Sequence, residues 1–183
     1  MGEWLGVIIA VAIVGVAAWL MVRSWKRRTV RDETLSAYAL PASPGAPALE
    51  MEVLYVATTP TGQPLERLAV HGLAFRGAAH IEIAPEGVVL RVAGEQASFL
   101  PADRIVSAGE ASYAIDRGVE PEGLVAITWV AQVADVEMTA PHVDSYLRAR
   151  YPGDSARIIV AVNDIAAART APRPEQEKEA SDD

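Results

Sequence analysis

Three histidines, His71, His80 and His142, are the side chains most ready for acid–base or metal chemistry near neutral pH. They are scattered without i,i+4 or HxH spacing, so only the fold could assemble a metal site from them. The chain has no cysteine, which excludes disulfides, iron–sulfur clusters, thiolate zinc sites and cysteine nucleophiles. Asp116, Glu120 and Glu122 gather around Gly118 and Gly123 in DRGVEPEG, a composition that reads as a solvated turn between strands rather than a catalytic carboxylate pair. No GxSxG, Walker loop, HExxH or GxGxxG is present. The expectation is a protein without catalytic residues, metal or cofactor.

What remains is recognition. His71-Gly72 lies between Val70 and Leu73 and reads either as a backbone-packing pair or as a ligand contact. Phe75 and Arg76 are residue types enriched in interface hot spots, and Phe75 is either an exposed anchor or a core residue with Arg76 on the surface beside it. His71, Phe75 and Arg76 are therefore the candidate partner-binding residues. His80 sits on the face opposite Ile81 and points to solvent, and His142 follows Pro141 in a loop.

The elements that must position these residues alternate with period two. Met51, Val53, Tyr55 and Ala57 share one strand face. Ile81, Ile83, Val88 and Leu90 flank Pro85-Glu86-Gly87, a three-residue hairpin connection with Gly87 supplying positive φ. Further strands are expected at 98–100, ending or edging at Pro101, and at 112–116, 124–133, 136–139 and 145–148. After Pro152-Gly153-Asp154 the period becomes helical, with Ile158, Ile159, Val162 and Ile165 on one face of a helix over 155–168. Seven or eight short antiparallel strands closed by one C-terminal helix make an open barrel whose exposed edge the helix covers.

The ends differ in composition. Trp4 to Val22 is nineteen residues without a charge, long enough as a helix for about 28 Å. A basic cluster follows at Arg23, Lys26, Arg27, Arg28 and Arg31. This pattern predicts an uncleaved single-pass anchor over 1–31, with the N-terminus outside the plasma membrane and the domain in the cytoplasm. Trp4, Trp19, Trp25, Arg23, Lys26, Arg27 and Arg28 would lie at the membrane interface. A cleaved signal peptide would start basic, whereas this chain starts Met-Gly-Glu. The Pro- and Ala-rich stretch 32–50 reads as a linker, 51–169 as the β domain and 170–183 as a disordered acidic tail.

LYVATT (54–59), PLERLAVHGLAFRGAA (64–79), EGVVL (86–90), LPADRI (100–105) and VEPEGLVAITW (119–129) resemble a family of membrane-anchored pleckstrin-homology-like proteins of actinobacteria. Members of that family are often encoded among genes for the first steps of pyrimidine synthesis. The resemblance implies a tether or scaffold for such enzymes, with aspartate carbamoyltransferase or dihydroorotase as partners. Two departures stand out: Thr58 to Glu66 holds no Lys or Arg where phosphoinositide-binding relatives are basic, and the closing helix lacks their tryptophan.

From Asp32 onward 11 basic and 23 acidic side chains leave a net charge of −12. Such a domain finds no general attraction to nucleic acid or anionic lipid. The reading is a non-catalytic adaptor that binds partner proteins; a lipid or small-molecule carrier using the barrel interior is the alternative.

Overall fold

In the computed structural model the described residues are 12–23, 35–114, 117–118, 123–134 and 139–170. Residues 12–23 are helical, as α1. The rest of the described chain is mainly β: β1 (Leu35–Ser36), β2 (Leu49–Pro60), β3 (Gly77–Ala84), β4 (Gly87–Val92), β5 (Ser98–Pro101), β6 (Ile105–Ala111), β7 (Tyr113–Ala114), β8 (Arg117–Gly118), β9 (Leu124–Val130), β10 (Gln132–Val133), β11 (His142–Ala149), then helix α2 (Asp154–Thr170). Seven strands form one antiparallel sheet in the order β5-β4-β3-β2-β11-β9-β6, while β1 pairs with β10 and β7 with β8.

The alternation that defines β2 leaves Val53, Tyr55 and Ala57 buried and sends Glu52 and Leu54 to the other face. Residues from the inner faces of all seven strands meet Ile158, Val162 and Ala166 of α2 in one core. The sheet is therefore curled around the helix. Its interior is filled by large side chains, Trp129, Tyr55, Ile81 and Leu90 among them. Ile159 and Ile165, expected on the buried helix face, pack against the core only partly. The hairpin connection is Pro85-Glu86, because Gly87 already pairs with Ala84. A Cβ at Gly87 would stand 2.2 Å from the Leu100 carbonyl oxygen, so glycine is needed there for β4 to meet β5.

The two edges of the sheet are covered. At β5, Tyr38 and Phe99 exchange both backbone hydrogen bonds, at 3.0 and 3.1 Å. At β6, the Asn163 carboxamide of α2 accepts from Ala108 N–H at 2.8 Å and donates to Ala108 C=O at 2.9 Å. Part of the stretch expected as a linker is thus packed on the domain, and Leu35 is buried in the core.

The expected transmembrane anchor requires correction. No helix among the described residues is long and apolar enough to cross a membrane. The expected spanning helix over Trp4–Val22 is therefore not supported, and the fold class is a mainly-β domain with two helices rather than a spanning helix plus barrel. The single-pass plasma-membrane placement, with the N-terminus outside, falls with it. Trp19 is exposed on α1 with the Arg23 guanidinium 5.5 Å from its ring centroid. Trp4, Trp25, Lys26, Arg27 and Arg28 lie outside the described residues, as do residues 171–183 of the expected tail, whose first residue Thr170 ends α2, and most of the expected strand 136–139.

Candidate functional site

The strand registers assemble a groove on the outer face of the sheet. His80 stands opposite Glu52 on one side and Arg91 on the other, and Arg150 reaches Glu52 from the end of β11. One step along, Arg148 is opposite Leu54 and Leu54 opposite Ala78. A charged row, Arg91–His80–Glu52–Arg150, thus runs beside a floor of Ala93, Ala78 and Leu54. These residues enclose about 680 Å³, a volume within the ordinary range of ligand clefts.

The charges in the groove are partly compensated. Arg91 Nε lies 2.9 Å from Glu82 Oε1, Arg150 pairs with Glu52, and His80 Nε2 is 3.9 Å from Glu50 Oε2. Arg148 has no ion pair with a described residue. These pairs are solvent-exposed and each contributes about 0–1 kcal/mol, so an incoming carboxylate can compete for the guanidinium groups. In a chain of net charge −8, the groove gathers three arginines within one concave patch.

The loop between β2 and β3 leads into β3 just before Ala78 of this floor. Phe75 is 69% exposed, which decides between its two readings in favour of a surface position, and Arg76 is exposed beside it. Leu65, 60% exposed, lies on the same loop. Arg67 holds the loop down by donating to the carbonyls of Ala74 and Val56. Val56 is the unpaired residue where the β2–β11 register slips, which leaves its carbonyl available.

A buried chain of hydrogen bonds fixes the same loop from below. Tyr55 OH donates to Leu73 C=O at 2.7 Å, so its oxygen must accept from Thr58. Thr58 then accepts from Ser145, and Ser145 accepts from Trp129 Nε1–H at 2.9 Å. One orientation satisfies every proton: Trp129 to Ser145 to Thr58 to Tyr55 to Leu73. Burial, only partly offset by the Thr58 hydrogen bond, pushes the Tyr55 hydroxyl far above the usual tyrosine range.

The other histidines separate. His71 is exposed, donates its N–H to Leu35 C=O at 3.4 Å and lines a second, smaller pocket with Gly72. His142 is the first residue of β11 rather than part of a loop, and it is exposed. Asp116, Glu120 and Glu122 lie outside the described residues. Among the described residues no group of three His, Asp or Glu is placed to hold a metal ion. Sequence reading singled out none of the groove arginines, because Arg91, Arg148 and Arg150 come from strands whose adjacency only the registers reveal.

A curled seven-stranded antiparallel sheet closed by a C-terminal helix around a filled interior is the architecture of a pleckstrin-homology-like domain. The model of the bacterial PH domain-like family matches residues 34–163, and the chain belongs to that family. No curated protein matches the sequence.

Proposed function

We propose that this chain is a non-catalytic adaptor that holds an acidic segment of a partner protein in the groove across β4, β3, β2 and β11. The observation that carries this reading is the convergence of Arg91, Arg148 and Arg150 over a floor of Ala78, Ala93 and Leu54. Arginine forks donate paired hydrogen bonds to carboxylates, and the small floor lets an extended backbone approach closely. Phe75, three residues before Ala78 in the chain and exposed, would supply an apolar anchor, with Arg76 next to it. The filled interior gives the carrier alternative no support.

Fluorescence anisotropy with a labelled glutamate-rich peptide tests the groove. Saturable binding that weakens with salt, falls about tenfold in Arg148→Glu and falls again in Phe75→Ala is expected. Binding of equal strength by Arg148→Glu would remove the reading. Aspartate carbamoyltransferase and dihydroorotase, the partners implied by the family resemblance, are the first proteins to test by pull-down, with the same two variants as controls.

A further inference from the structure

The arginine groove suits carboxylates, and this chain carries its own run of them. Residues 171–183, which follow α2 and lie outside the described residues, read APRPEQEKEASDD. Five acidic side chains, Glu175, Glu177, Glu179, Asp182 and Asp183, stand against Arg173 and Lys178, a net charge of −3. The three arginines that line the groove, Arg91, Arg148 and Arg150, are all exposed. Arg148 has no ion pair with a described residue, so it is the guanidinium most open to a new carboxylate.

Spacing and reach both fit. Arg148 and Arg150 are two residues apart at the end of β11 and both line the groove, which sets them about 6–7 Å apart along extended chain. Glu175, Glu177 and Glu179 repeat with the same period of two, so an extended backbone turns all three to one side and Lys178 to the other. Helix α2 starts four residues after Arg150, at a turn closed by Asp154 N–H donating to Tyr151 C=O at 3.3 Å, and rises about 24 Å to Thr170. With under about 7 Å for the turn and about 3.8 Å for one further Cα step, Thr170 is at most about 35 Å from Arg150. Beyond Thr170 the chain extends about 30 Å to Glu179 and about 43 Å to Asp183, so the acidic run brackets the longest separation the fold allows.

We infer that residues 175–183 of the same chain lie across Arg148 and Arg150 in the free protein and must be displaced before an acidic partner segment binds. The inference rests on the groove reading above and adds its regulation. Tethering gives the run an effective concentration of order 1 mM. An intrinsic dissociation constant of about 0.1 mM then keeps the groove roughly 90% occupied and lowers the partner's apparent affinity about tenfold. A partner with a denser acidic run displaces the tail, and an isolated surface carboxylate does not.

The test compares the full chain with a full-length variant carrying Glu175→Gln, Glu177→Gln, Glu179→Gln, Asp182→Asn and Asp183→Asn. NMR of the arginine Nε–H groups without added ligand reads occupancy, and anisotropy with a labelled glutamate-rich peptide reads competition. The Arg148 and Arg150 resonances should differ between the two proteins by the same amount across a tenfold range of protein concentration, on the order of 10–100 μM. The peptide should bind the variant about tenfold more tightly, a gap that closes in about 0.5 M salt. Identical arginine resonances with equal peptide affinities would overturn the inference while leaving the groove reading in place. A difference that grows with protein concentration would also overturn it, since the occupant would then be the tail of a second copy. Resonances that differ while the peptide binds neither protein would keep the tail contact and remove the adaptor reading instead.

Discussion

Ser145→Ala removes one oxygen from the centre of the buried relay that ends at the Leu73 carbonyl. Trp129, Ser145 and Thr58 are all fully buried, so water cannot replace the lost atom without rearrangement. The Trp129 N–H then has no acceptor, a cost of about 1–3 kcal/mol, and Thr58 loses one incoming hydrogen bond worth about 1 kcal/mol. A total of about 2–4 kcal/mol is a large share of the 5–15 kcal/mol typical of a folded domain, and corresponds to a fall in melting temperature of roughly 6–20 °C. Urea unfolding followed by far-ultraviolet circular dichroism gives the free energy, and the Trp129 indole proton resonance reports the lost acceptor directly. A double-mutant cycle with Thr58→Val separates the relay from the cavity left by the methyl-sized change. A loss below about 0.5 kcal/mol with an unmoved indole resonance would refute the directed relay. With the relay intact, the 61–76 loop that presents Phe75 is held from beneath as well as by Arg67.

Asn163→Ala should cost about 1–3 kcal/mol by removing both hydrogen bonds to Ala108, and should make the protein self-associate with rising concentration in analytical ultracentrifugation as the β6 edge is exposed. Val162→Asp, a charge in the fully buried stripe of α2, should abolish cooperative unfolding, whereas Val160→Asp, on the exposed side, should leave it unchanged. Tyr55 has a folded pKa raised above its unfolded value near 10, so the folded state keeps a proton that the unfolded chain loses. Stability is therefore fully present below about pH 10 and declines as pH rises above it, and Tyr55 phenolate absorbance should appear only together with unfolding.

The closing helix and the β3–β4 hairpin were legible because each carries its signal locally: a helical stripe in one, alternation around Pro85-Glu86-Gly87 in the other. β6 escaped notice. In IVSAGEA the alternation is diluted by Ser107, Gly109 and Glu110, and the register slips between Ile105 and Ser107, leaving Val106 unpaired and half-exposed. The short connection read as Pro-rich linker hid Leu35 and Tyr38, whose places are fixed by residues about sixty and a hundred positions away. Charge counting gives one sum for the chain and not where the charges stand, since Arg150 meets Glu52 across 98 residues of chain. The smaller pocket beside His71 left one trace in the letters, the His71-Gly72 pair, whose glycine is required by what stands opposite it. The apolar run near the N-terminus was the most conspicuous signal in the sequence and the least reliable guide to this fold.

The cover of the β6 edge comes late in the chain. Ala108 and Asn163 are 55 residues apart, and at synthesis rates of about 5–20 residues per second the edge waits roughly 3 to 11 s for its carboxamide. β2 waits longer, since its second neighbour, β11, begins only at His142. Until then the nascent chain can form the β2–β5 meander, whose edge at Phe99 is already covered by Tyr38, but it cannot close the core. The domain is therefore finished at the ribosome's exit rather than along the way, and the interval in which one edge is open is where chaperone contact would matter most.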